Sequence, residues 1–171
     1  MALPRHLTKA LGATEDVMAT IKHEVWIDAP PRRVFELLDS AEAISSWWDQ
    51  QTKRDTPDGI VFEHSPGPEH GIVQFLVLES TPNLVRWRCI SSHPQNVPAS
   101  EWTGTEIVFR IGERAGSNAA MEQWAARFSV QTVLHLEHSG WPNDAKFLAF
   151  CNFAWAAVLT NLSTKAAESA A

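Results

Sequence analysis

The stretch AKFLAFCNFAWAAVLTNL, residues 145–162, places Leu148, Cys151, Trp155, Val158, Leu159 and Leu162 near the i, i+3, i+4 spacing of a helix face. Phe147, Phe150 and Ala154 widen that stripe until little of the circumference is polar. Such a helix is expected to be surrounded, by a sheet on one side and by something else on the other. Lys146 and Asn152 interrupt its most apolar part, 145–159, which is shorter than the roughly 18 residues a membrane span needs. It reads as a core helix, with Asn143 or Asp144 placed to cap its start.

The elements before it are mostly strands. In IKHEVWID (21–28), Ile21, His23, Val25 and Ile27 share one face and Lys22, Glu24, Trp26 and Asp28 the other. Pro30 and Pro31 stop that strand and suit the first turn of a helix carrying Val34, Phe35, Leu37 and Leu38. Ser40 can cap a second short helix through Ser46, which leads into Trp47 and Trp48. Asp58-Gly59 then marks a turn before a strand at 60–64, and SPGPEHG separates it from one at 72–79. Strands at 84–90, 103–111 and 128–138 follow, each with an apolar face. Their other faces carry Arg86, Arg88, Glu106, Arg110, Gln131, His135 and Glu137, so one side of the sheet is wet and the other covered.

This order predicts an α+β domain over residues 20–164. A curved antiparallel sheet of six to seven strands wraps around the long C-terminal helix, and two short helices follow the first strand. Residues 1–19 read as a flexible leader and 165–171 as a tail. The 112–126 segment is long for a hairpin turn and reads as a loop.

IDAPPRRVFELL (27–38), ISSWW (44–48), GIVQFLVLESTPNLVRW (71–87), GTEIVFRI (104–111), LEHSGW (136–141) and CNFAWAAVLTNL (151–162) follow one another along the chain. In these segments and their order the chain resembles the START-like helix-grip (SRPBCC) superfamily, and within it the proteins grouped with the C-terminal domain of the activator of heat-shock protein 90 ATPase homologues. The resemblance implies a hydrophobic cavity between sheet and helix, used in the superfamily for lipids, polyketide-like aromatics or other apolar molecules, and no shared catalytic set. Ala154 stands where many relatives have Gly, which implies a slightly narrower cavity.

The candidate ligand-binding residues are Trp47, Trp48, Trp87, Phe109, Leu134, Phe150, Cys151 and Trp155. A core is normally packed with Leu, Ile and Val, whereas eight Trp with no Tyr bring indole N–H groups that need partners and suit a surface meeting a ligand. If Trp47 is helical, adjacent tryptophans point about 100° apart, one to the core and one to the rim, with Trp48 at the rim. Trp155→Ala is then expected to alter binding more than folding.

Other chemistries find little support. The net charge of −6 and scattered Lys and Arg argue against nucleic acid. Strand alternation separates His138 from His135 and Glu137, so that cluster cannot hold a metal and reads as wet-face polar side chains. No GxSxG elbow or phosphate-binding glycine loop occurs, and Cys151 has apolar neighbours that disfavour a thiolate. No catalytic set, metal or cofactor is assigned. The expected function is binding a small hydrophobic ligand. A polyketide cyclase/aromatase-like enzyme using groups such as Glu63, His64 and His93, or a co-chaperone-like interaction domain, are the alternatives. Two cysteines without CxxC spacing, no signal-peptide run and no membrane insertion give a cytoplasmic expectation, as a monomer or a homodimer.

Overall fold

The computed structural model describes residues 18–114 and 130–168. Most of the expected leader, most of the 112–126 connection and the end of the tail lie outside the described residues. Strand β1 (Ala19–Ile27) follows its alternation: Ile21 and Ile27 are buried while Lys22, Glu24 and Trp26 face water. Helix α1 (Pro31–Glu36) starts on a proline, whose missing N–H is no loss in a first turn. Helix α2 (Ala41–Ser45) is capped as expected, the Ser40 hydroxyl accepting from the Ala43 N–H at 3.2 Å.

Six more strands follow: β2 (Thr52–Thr56), β3 (Gly59–His64), β4 (Val73–Thr81), β5 (Leu84–Cys89), β6 (Glu106–Glu113) and β7 (Thr132–Trp141). They pair antiparallel with β1 in the order β1-β7-β6-β5-β4-β3-β2. A short 3₁₀ helix, Pro98–Glu101, lies between β5 and β6, and helix α3 (Leu148–Ala167) closes the described chain. This is the helix-grip architecture. Gly59 makes the β2–β3 turn with φ +131°, a conformation that side chains with a Cβ rarely adopt.

One face of the sheet is the core. Phe62, Phe75, Val85, Trp87, Ile107, Phe109, Leu134 and Leu136 are buried beneath α3, whose Cys151, Trp155, Leu159, Leu162 and Ala166 meet them. On the wet face Glu106 accepts from Arg86 at 3.0 Å and Arg88 at 2.5 Å.

Three features depart from expectation. Strand β2 was not anticipated, because TKRDT has no apolar face: it is the sheet's edge, with its first four residues exposed. Helix α3 begins at Leu148 without Asn143 or Asp144 as its cap. The Glu101 carboxylate, from the 3₁₀ helix, instead accepts from the N–H groups of Lys146 at 2.8 Å and Phe147 at 3.0 Å. Its far end continues to Ala167, where Arg33 of α1 donates to the Ala166 and Glu168 carbonyls. Nor is α3 enclosed on every side: Phe150 is 59% and Phe153 74% exposed, beside exposed Ala149, Ala156 and Ala157.

Candidate functional site

Helix α3 packs most closely along β1 and parts from the sheet toward β3 and β4. A curved sheet and a straight helix cannot match along their whole length, and the space between them is a cavity of about 400 Å³. Strands β3 and β4 supply His64 and Val73 to its wall, and the chain after α2 supplies Trp47, Trp48 and Asp49. Pro98, Ala99 and Trp102 come from the 3₁₀ helix and its end, and α3 contributes Phe150, Cys151, Ala154, Trp155, Val158 and Asn161. Pro66 and His70, in the loop before β4, complete the wall.

Of the candidate residues, Trp47, Trp48, Phe150, Cys151 and Trp155 stand on this wall, while Trp87, Phe109 and Leu134 lie in the core and outside it. The dry faces of the strands serve both core and cavity, and only the line along which the helix leaves the sheet separates them. Trp102, Val73 and Ala99 were not among the candidates, and His64 was named only as an acid-base group of the enzyme alternative. Trp102 sits beyond a proline-led 3₁₀ turn with no periodicity to mark it. His64 ends an alternating strand, in which Phe62 and His64 share a face, and that signal was readable.

The two adjacent tryptophans do different jobs without pointing apart. Trp47 lies past the end of α2, so helical spacing does not govern the pair, and the rings stack 5.9 Å apart at 25°. Trp47 is buried and donates its indole N–H to the Leu37 carbonyl at 2.7 Å. Trp48 is half-buried and lies against His64 at 4.9 Å and Trp155 at 5.1 Å.

Three of the four cavity tryptophans have partnered N–H groups. Besides Trp47, Trp102 donates to Cys151 Sγ at 3.4 Å and Trp155 to His138 Nδ1 at 3.0 Å. Trp48 makes no such bond among the described residues. The Cys151 thiol is pushed up by burial, which keeps it protonated.

His138 is fully buried, on the dry side of β7 and opposite His135 and Glu137 as alternation requires, so the wet-face label given to the cluster does not apply to it. Its Nδ1 accepts from Trp155, so Nε2 carries the hydrogen and donates to Thr105 Oγ1 at 2.8 Å. Thr105 in turn donates to the Trp102 carbonyl at 2.7 Å. Burial pushes His138 down to about 3. The neutral ring is thus fully satisfied, and it locks Trp155.

His64 differs. It is 3% exposed, its Nδ1 is buried without a partner, and its ring makes no hydrogen bond among the described residues. Burial first, and then electrostatic interaction with the neighbouring His93 and His70, pushes it down to about 4. His93 itself is engaged elsewhere: Nδ1 donates to the His70 carbonyl at 2.8 Å, leaving Nε2 to accept from Ser91 Oγ at 2.8 Å. Glu63 faces away and binds Arg54 and Gln74. No group of three metal-ligating side chains occurs among the described residues.

No protein-family model matches the chain, and no curated protein matches it. Solved structures do. The Aha1 dimer from Colwellia psychrerythraea is 24% identical and superposes with a TM-score of 0.66 over 90% of this chain and 100% of its own. A protein from Mesorhizobium loti is 18% identical, with a TM-score of 0.64 over 85% and 95% of the two chains. CalU16 from Micromonospora echinospora is 16% identical, with a TM-score of 0.60 over 90% and 78%. The likeness is one of fold, and it agrees with the helix-grip resemblance carried by the sequence segments. No helix among the described residues is long and apolar enough to cross a membrane.

Proposed function

We propose that the protein holds a small apolar or aromatic molecule in the cavity between α3 and the sheet, as a binding protein of the cytoplasm. The observation that carries this is the cavity itself: about 400 Å³, walled by Trp47, Trp48, Trp102 and Trp155, beside the buried apolar core. That volume lies within the roughly 300–1,000 Å³ range of small-molecule sites, and apolar walls with few polar groups are their usual chemistry. Native mass spectrometry of gently purified protein tests it. A retained apolar molecule is expected; a protein that arrives empty and takes up nothing from a lipid extract contradicts it.

A cyclase-like acid–base enzyme ranks second, favoured by ionisable Asp49, His64 and His70 on the cavity wall. A base held at about 4 is weak at neutral pH, which places binding ahead of proton transfer. A surface role, in which α3 docks on a partner, draws on exposed Phe150 and Phe153. A second copy of this chain would suit that face, as the Colwellia protein is a dimer. Phe153→Ser is then expected to shift sedimentation from dimer to monomer, and a monomeric parent protein would remove the idea.

A further inference from the structure

We propose that His64 and the indole N–H of Trp48 form the polar recognition point of the cavity, which selects an uncharged, hydroxyl-bearing aromatic ligand such as a phenol. This rests on the ligand-binding reading and narrows it. The other tryptophan N–H groups of the cavity wall are answered from within the protein, and the orphaned His70 Nδ1 lies 3.3 Å from the Glu69 carboxylate. Trp47, Trp102 and Trp155 direct their N–H groups to Leu37, Cys151 and His138. Neither ring nitrogen of His64 is hydrogen-bonded among the described residues, and Trp48, whose ring lies 4.9 Å from it, has an N–H without a partner among them. An unmade hydrogen bond on a half-closed wall is costly, and the nitrogen that can meet a ligand here is Nε2, since Nδ1 is sealed from the cavity.

The chemistry of that partner follows from what surrounds it. The indole N–H only donates, whereas a neutral imidazole donates from one nitrogen and accepts at the other. Because Nδ1 is sealed, the tautomer that strands no N–H carries its hydrogen on Nε2, and one hydroxyl oxygen can accept from both Trp48 and His64. Charge is disfavoured on both sides. Neither Lys nor Arg stands on the wall, and Asp49 does, so an anionic ligand would meet no fixed cation and one carboxylate. Protonating His64 to supply a cation would leave a sealed Nδ1–H with no acceptor, next to His70 and His93. The aromatic rings of Trp48, Trp102 and Trp155 around this point favour a flat apolar body.

The test is isothermal titration at neutral pH with three probes of one shape: naphthol, methylnaphthalene and naphthoate. Naphthol is expected to bind the parent protein about tenfold more tightly than methylnaphthalene, the worth of one buried hydrogen bond to a group otherwise unpaired. Naphthoate should bind more weakly than either. His64→Phe, which keeps a flat ring, should bring naphthol and methylnaphthalene affinities to within about twofold of each other. His64→Gln, which can still donate and accept, should restore part of the preference, and far-ultraviolet dichroism of both variants confirms folding. A naphthol preference that survives in His64→Phe, or naphthoate binding as tightly as naphthol, overturns the assignment to His64 while the cavity still binds. Failure of all three probes to bind saturably removes the ligand-binding reading along with it.

Discussion

His138 and His64 lie on the same inner face of one sheet, both nearly inaccessible to water, yet they differ in every contact. His138 stands where α3 is close: it accepts from Trp155, donates to Thr105 and fixes the rings around it. His64 stands where α3 has drawn away, on the wall of a cavity, with neither ring nitrogen hydrogen-bonded among the described residues. The first completes a core, and the second leaves the core open at one chosen spot. Burial alone therefore does not distinguish the two histidines; position on the cavity wall together with an unbonded ring does.

Acid should strain both histidines and gives the largest expected effect. Each ring's folded value lies below the ordinary 6.5, His64 at about 4 and His138 at about 3. Below 6.5 the unfolded chain takes up protons that the folded chain refuses, so the stability these rings supply is full above that value. It is lost as pH falls toward the folded values, by about 1.4 kcal/mol per pH unit for each ring. Urea melts between neutral pH and pH 4 should show this decline, and His64→Phe should remove part of the slope. A pH-independent midpoint would mean that the rings are not buried neutral.

At constant pH, the pair should separate cleanly. His138→Leu strands the Trp155 N–H and the Thr105 hydroxyl, and is expected to cost about 3 kcal/mol in urea unfolding. Glu101→Ala removes the remote cap of α3 and should cost about 1 kcal/mol. His64→Phe exchanges an unpartnered polar ring for an apolar one of similar shape and should change stability by less than about 1 kcal/mol. Equal losses from the two histidine variants would abolish the distinction between them.

Much of the fold was legible because its strands have one dry face. The alternation in IKHEVWID and LVRWRC, the prolines before α1 and the Ser40 cap led directly to observed elements. β2 escaped because an edge strand wet on both sides has no pattern to read. The cap of α3 escaped because Glu101 is far from it in sequence. Exposed Phe150 and Phe153 escaped because an apolar helix face does not say whether anything covers it.

The candidate site was half legible, for a related reason. Trp47, Trp48, Cys151 and Trp155 flank the gap, but Trp87 and Phe109 share their strand faces with it and lie under well-packed helix instead. Trp155 is 3% exposed and bonded to His138, so Trp155→Ala would damage folding and binding together and cannot serve as the clean test expected of it.

The central claim is that the space beside Trp48 and His64 holds a ligand, and the direct measurement is saturable uptake of the uncharged probe N-phenylnaphthylamine by the parent protein and by Ala154→Phe. Ala154 lies on the cavity wall, so a phenyl group there fills the space from α3 without removing any existing contact. Saturable binding by the parent protein, lost in a folded Ala154→Phe, is the predicted result. Absence of saturable binding, or binding untouched by Ala154→Phe, would contradict it.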